Sequence, residues 1–206
     1  MKNIFAVLVF STFSIAHGAG TINAAVMKFT VYKMAVSTSA SCTSPVTIFT
    51  NSSGVEQDMV AGANFGSGRV DPGTYPCVMI EMSKIIKTRA STSSGSCNSA
   101  IEFQDVICND GGQLSQTIAG SPVTCSGGIT NDQHVTLFIT TLSAGSSGNR
   151  SLLPPLNGSD TTSGLALSGA FVVSTSKAGA LSVNYHNFLD GSGGVCSTSA
   201  PGFSFN

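Results

Sequence analysis

The chain has 206 residues and a formal net charge of −1, and only 9% of its residues are charged, against roughly 25% in ordinary soluble domains. Its polar surface is therefore built mainly from Ser, Thr, Gly, Asn and Gln. Nucleic-acid binding requires a basic stripe, and this charge balance excludes it. A nearly neutral, hydroxyl-rich surface suits contact with copies of the same chain, with a cell wall or with a glycan.

The N-terminal segment has the layout of an export signal. Lys2 supplies a positive start, residues 4–13 are mostly apolar, and small residues follow at 14–18. Cleavage after Ala16 or after Gly18 fits the small-residue rule, and the second is preferred. The apolar run is shorter than the roughly 20 residues that span a bilayer. We therefore predict a signal peptide at 1–18 and a single secreted domain at 19–206; a buried apolar N-terminal element is the alternative.

The first long strand is predicted at 26–36, because apolar residues alternate there with a period of two. Its apolar side switches at Tyr32 and Lys33, which indicates a bulge. Further predicted strands are separated by segments rich in Gly, Ser and Thr. They cover 46–49, 78–86, 101–107, 135–142, 165–173 and 181–189.

These strands predict an all-β fold: an antiparallel β-sandwich of about seven to nine strands, stabilised by disulfides. A closed β-barrel is the alternative. The segment at 152–156 reads Leu-Leu-Pro-Pro-Leu, and its two prolines exclude a central strand. We interpret this segment as a hydrophobic clasp over one end of the sandwich, and the alternative is an exposed contact patch.

The six cysteines all follow the predicted signal, and an even number in an exported chain indicates disulfides. Metal coordination is the alternative, but the Cys-x-x-Cys spacing of thiolate sites is missing. Cys97 and Cys125 are the two candidate disulfide partners of Cys108. If Cys108 pairs with Cys125, three partners remain open for Cys97. The disulfide candidates are Cys42, Cys77, Cys97, Cys108, Cys125 and Cys196.

Both ends of the mature chain offer strands for assembly. The first strand carries Phe29 and Val31, and the C-terminus carries Phe203 and Phe205 in an alternating pattern. Each strand can complete the sheet of its own chain. The alternative is that it adds to the sheet edge of a neighbour in a fibre.

A turn motif precedes the strand at 78–86. The sequence Asp71-Pro72-Gly73-Thr74-Tyr75 resembles the Pro-Gly-Thr-Tyr turn of transthyretin-like and carboxypeptidase-regulatory-like β-sandwich modules of secreted bacterial surface proteins. The resemblance covers about residues 26–87. It implies that Tyr75 packs between two sheets ahead of a core strand.

Residues suited to catalysis are sparse. His134 follows Asp132 at a strand entrance, and His186 lies on the polar side of a strand; both are interpreted as surface residues. The Gly-x-Ser-x-Gly turn of hydrolases is missing. A sugar site has no Trp to use and would depend on Tyr32, Tyr185 or a phenylalanine. The sequence predicts no catalytic, cofactor-binding or metal-binding residues.

Taken together, these features predict a secreted or cell-surface structural or adhesive subunit of a bacterial envelope, such as a fibre subunit, and not an enzyme. Its expected partners are further copies, other surface proteins or a glycan. An extracellular glycan-binding module is the first alternative, and a secreted hydrolase is the second.

Overall fold

The computed structural model describes residues 21–62, 70–108, 110, 114–145, 148–174, 181–198 and 202–205. The predicted signal peptide lies outside these residues. Strands dominate the described chain, with short 3-10 helices at Gly128–Thr130 and Gly148–Leu152, so the predicted all-β class is confirmed. The strands are β1 (Ala24–Ser37), β2 (Val46–Asp58), β3 (Gly73–Tyr75), β4 (Cys77–Ser83), β5 (Ile85–Ala90), β6 (Phe103–Val106), β7 (Leu114–Gln116), β8 (Pro122–Thr124), β9 (His134–Thr140), β10 (Leu165–Ala166), β11 (Phe171–Val173), β12 (Leu181–Asn184), β13 (Leu189–Asp190), β14 (Ser197–Thr198) and β15 (Gly202–Phe205).

Strand β1 is the centre of a curled, mixed seven-stranded sheet. Strand β2 pairs with one edge of β1. Along the other edge of β1, the first half pairs with β5 and the second half pairs with β4. Strands β4 and β5 therefore act as one long strand that is interrupted at Lys84. Beyond them, β9 pairs with β4, β6 pairs with β5, and β10 adds in parallel to β9.

The remaining strands form four two-stranded ribbons: β3 with β11, β7 with β8, β12 with β15 and β13 with β14. The main core lies on the sheet face that carries Val78, Ile80 and Met82 of β4. Side chains from the ribbons, including Phe171 and Leu189, pack into the same core. The ribbons thus supply the second layer that a single sheet needs in order to bury its apolar face.

The bulge predicted in β1 is present. The pairing with both β2 and β4 shifts between Val31 and Lys33. Opposite this point β2 loops out before Gly54, whose φ is +72° and where an added Cβ would clash with the Tyr32 ring. Glycine is required there because other residues disfavour this conformation and no space remains for a side chain.

The exposed edges of the seven-stranded sheet are blunted. A second register shift in β2 lies opposite Met34 and Ala35, so this edge strand is irregular at two points. Strand β6 has four residues and β10 has two. Bulges and short edge strands oppose pairing with another sheet.

Three disulfides tie the loops to this framework. Of the two pairings that compete for Cys108, the bond to Cys125 forms, and Cys97 pairs with Cys196. The third bond joins Cys42 to Cys77. The disulfide prediction is confirmed, and only the structure selects the partners.

The turn motif positions Tyr75 in the interior. Tyr75 lies in β3, is buried, and packs at a tilt against Phe171 with 6.1 Å between ring centroids. Its hydroxyl donates a hydrogen bond to the Asp71 carbonyl at 2.7 Å. Each interpretation of the segment at 152–156 holds for one end of it. Leu152 is fully buried, as in a clasp, whereas Leu156 is 85% exposed, as in a contact patch.

Three predicted strands are interrupted. The predicted strand at 78–86 breaks at Lys84, where the Ser83 hydroxyl accepts a hydrogen bond from the Ile85 N–H at 3.0 Å. The predicted strand at 165–173 becomes β10 and β11. The predicted strand at 181–189 becomes β12 and β13, with Asn187 at a positive φ of 53° between them. Alternation alone does not reveal these local side-chain and turn interactions.

Candidate functional site

The second face of β4 changes from apolar to polar along the strand. Side chains alternate between the two faces, so Cys77, Met79, Glu81 and Ser83 share the face opposite the main core. Cys77 and Met79 pack in a small apolar cluster with Phe138 of β9. Glu81 and Ser83 follow, and charged and aromatic side chains of β1 and β9 surround them.

Glu81 is at the centre of this polar region and is 8% exposed. Its Oε2 lies 3.9 Å from Lys33 Nζ, and its Oε1 lies 3.8 Å from His134 Nδ1. The Ile118 N–H donates a hydrogen bond to Oε2 at 3.3 Å. The Lys33 ammonium and the His134 imidazole both lie beyond hydrogen-bond distance of the carboxylate. An oxygen atom placed about 2.8 Å from both Glu81 and Lys33 would therefore join these two groups through hydrogen bonds of normal length. An oxygen atom between Glu81 and His134 would do the same.

Tyr32 and His134 form a stacked pair beside Glu81. Their ring centroids are 3.6 Å apart and the interplanar angle is 19°. The Tyr32 hydroxyl lies 3.5 Å from Asp132 Oδ2, while Ser83 donates a hydrogen bond to Asp132 Oδ1 at 2.6 Å. Partial burial, and next the Asp132 carboxylate, raise the pKa of Tyr32. The bulge in β1 thus presents an aromatic ring where three strands meet.

Thr136 adds a buried polar group to the same face. It lies directly opposite Glu81 in the β4–β9 pairing and is fully buried. Its hydroxyl has no hydrogen-bond partner within the part of the chain that the structure describes. Buried hydroxyls are normally paired with protein or water. The cluster of Tyr32, Lys33, Glu81, Asp132, His134 and Thr136 is called the β4 polar cluster below.

Lys84 forms a separate polar centre in the interior. It is fully buried, and its Nζ donates hydrogen bonds to the Ser126 carbonyl at 2.5 Å and to Gln133 Oε1 at 3.2 Å. Asp110 Oδ1 lies 3.8 Å from the same ammonium. These contacts connect the gap between β4 and β5 to the chain that leads into β9. Lys84 therefore stabilises the fold by connecting these segments. In the sequence, only the break in alternation at Lys84 indicated that this position is unusual.

The histidine predictions have different outcomes. His134 is exposed, as predicted, but it begins β9 and faces Glu81. His186 is also exposed, but it lies in the turn between β12 and β13 and not on a strand as predicted, and it stacks on Tyr185 with ring centroids 5.7 Å apart. The association of Glu81 with Tyr32 and His134 was not predicted from the sequence, because the register of β1, β4 and β9 creates it.

The predicted assembly strands pair within their own chain. Phe29 and Val31 are buried in β1, which has partners along both edges. Phe203 and Phe205 lie in β15, which pairs with β12. Donation of either strand to a neighbour would require it to leave these partners.

No protein family, curated protein or solved structure matches this chain. Among the residues that the structure describes, no helix is long and apolar enough to cross a membrane. The same residues contain no group of three or more His, Cys, Asp or Glu side chains placed to hold a metal ion. The disulfides fit a protein that is located outside the cytoplasm.

Proposed function

We propose that this chain is an exported protein of a bacterial envelope that serves as a structural or adhesive subunit at the cell surface. The observation that carries the proposal is the pairing of all six cysteines into three disulfides. Such bonds form and persist in oxidising compartments. The low charge supports the surface role, because a surface rich in hydroxyl groups packs closely against other polar surfaces with little repulsion.

Contact through a face of the protein has more support than assembly by strand addition. Strand β1 is paired on both edges, β15 is paired with β12, and the outer strands of the main sheet are bulged or short. Strand addition needs a regular open edge. The adhesive surface is therefore proposed to consist of side chains presented by a rigid, disulfide-stabilised framework.

Export is tested by producing the full chain in a Gram-negative host and in the same host without its periplasmic thiol oxidase. The expected product in the first host lacks residues 1–18, lies outside the cytoplasm and has an intact mass that accounts for three disulfides. A matched form that starts at residue 19 behind a new Met is expected to stay in the cytoplasm with reduced cysteines. Retention of the full chain in the cytoplasm would contradict the proposal.

Surface display is tested by labelling intact cells with a reagent that does not cross the outer membrane. Labelling of the protein on intact cells, and loss of cell attachment when its gene is deleted, are the expected results. Labelling that occurs only after the outer membrane is broken would restrict the protein to the periplasm and would remove the adhesive role.

A further inference from the structure

We propose that the β4 polar cluster is a carbohydrate-binding site that takes one neutral sugar ring of a glycan. This inference rests on the adhesive role proposed above and names its ligand. The site is formed by side chains of β1, β4 and β9 together with Asp132 in the segment before β9.

Donors and acceptors of the β4 polar cluster lie near one another without meeting. The gaps from Glu81 to Lys33 and to His134 are 3.9 and 3.8 Å, and the Thr136 hydroxyl has no partner among the described residues. A sugar hydroxyl both donates and accepts, so adjacent hydroxyls of one ring can bridge a carboxylate to an ammonium and to an imidazole. The cluster thus contains a carboxylate, an ammonium and an imidazole that do not meet one another, and a buried hydroxyl without a partner among the described residues.

The stack of Tyr32 and His134 suits the apolar face of a sugar ring. Sugar rings have an apolar face of C–H groups, and aromatic side chains combine apolar area with a polar edge. Of the two stacked rings, His134 is the more exposed, with 45% of its side chain accessible. Tyr32 supports it from the bulge of β1, and Gly54 packs closely against the Tyr32 ring. The stack is a fixed platform beside the unsatisfied polar groups.

The charges of the β4 polar cluster favour a neutral ligand. The cluster contains the carboxylates of Glu81 and Asp132, and one lysine, Lys33. This balance disfavours anionic ligands such as phosphate or sulfated sugars, because two carboxylates would repel them. Asp132 is already held by the Ser83 hydroxyl at 2.6 Å, so its orientation is set before a ligand arrives. A neutral hexose with adjacent hydroxyls satisfies these conditions.

The test is NMR titration of the exported, disulfide-bonded protein with the methyl glycosides of mannose, galactose and glucose. The expected result is saturable shifts at the backbone amides of Tyr32, Glu81 and His134 with at least one sugar. Glycerol, a linear polyol, serves as the control for nonspecific effects. His134→Ala and Glu81→Gln are each expected to weaken binding at least tenfold. The matched control is His186→Ala, which removes an exposed histidine that also stacks on a tyrosine and should leave binding unchanged.

The proposal is overturned if none of the three sugars gives saturable shifts, or if binding survives in both cluster variants while their spectra show a native fold. Tyr32→Phe provides a further check, because it keeps the stack and removes the hydroxyl near Asp132. If sugars fail to bind but cells still attach through the displayed protein, the adhesive role stands with a different partner. If display itself fails, the proposed function is wrong regardless of the sugar result.

Discussion

Substitutions at buried Lys84 and at its partner Gln133 are predicted to differ greatly in their effect on stability. Gln133 accepts hydrogen bonds from Lys84 Nζ at 3.2 Å and from the Ser126 N–H at 2.8 Å, and it donates one to the Thr124 carbonyl at 2.9 Å. Gln133→Leu removes all three bonds and leaves a fully buried ammonium with fewer acceptors. Lys84→Met removes the charge and keeps a chain of similar length. The first variant is therefore expected to be much less stable than the second.

The magnitudes follow from the individual contacts. Two neutral hydrogen bonds contribute about 1 kcal/mol each and a charged one about 1.5–3 kcal/mol, so Gln133→Leu should cost about 3–5 kcal/mol. Lys84→Met removes the buried charge and leaves acceptors on exposed Ser126 and half-buried Gln133 that water can reach, so it should change the free energy of unfolding by about 1 kcal/mol or less. In the double variant no ammonium is left without its acceptor, so the expected cost falls to that of the two neutral bonds of Gln133, about 2 kcal/mol.

Urea denaturation of the two single variants and the double variant, followed by circular dichroism, measures these free energies. The essential result is rescue: adding Lys84→Met to Gln133→Leu should restore about 2 kcal/mol. Purely additive effects of the two substitutions, or a Lys84→Met variant as unstable as Gln133→Leu, would show that the buried ammonium is not the source of the cost. If the dependence of the unfolding free energy on urea concentration is the same in all variants, they unfold between equivalent native and denatured states.

Three further predictions concern covalent and ionisable groups. Replacing Cys97 and Cys196 with Ser opens a loop with a sequence separation of 99 residues, and urea denaturation should show a loss of about 4.7 kcal/mol from chain entropy; a loss below about 1 kcal/mol would contradict this estimate. Because burial and Asp132 raise the pKa of Tyr32, its folded pKa exceeds the unfolded value of about 10, so stability should fall as pH rises above about 10. Thermal melts of Tyr32→Phe should show a smaller alkaline loss than the parent; an equal loss would show that Tyr32 is not responsible. Backbone N–H groups of its own loop lower the pKa of Asp160, so the stability it adds is present above the unfolded pKa of about 3.9 and is lost as pH falls below that value. Acid melts of Asp160→Asn should show a weaker pH dependence than the parent, and an unchanged dependence would count against this assignment.

Local patterns predicted the strands well where one face is continuously buried. The alternation in 26–36 predicted β1 and the bulge at Tyr32, because a change of apolar face requires an extra residue in the strand. The strand at 135–142 appears as β9 with nearly the same bounds. The short ribbon strands β7 and β8 were not predicted, because three residues carry too little periodicity to distinguish a strand from a loop.

The candidate site was only partly predictable. Asp132 and His134 were recognised as neighbours in the sequence, and Tyr32 was recognised as an aromatic available to a sugar. Glu81 joins them because β4 lies between β1 and β9 with Glu81 opposite both Lys33 and Thr136. Such contacts depend on strand order and register, and a single sequence specifies neither directly.

The all-β class, the bulge and the even set of cysteines follow directly from the sequence, since alternation and residue counts are local or compositional properties. Which cysteines pair, where Lys84 is buried and which polar side chains share a face of the sheet are established only in the folded chain. Cys97 meets Cys196 across 99 residues, and Tyr32 meets Asp132 across 100. Contacts at that separation arise when the whole chain buries its core, and they give the β4 polar cluster its geometry.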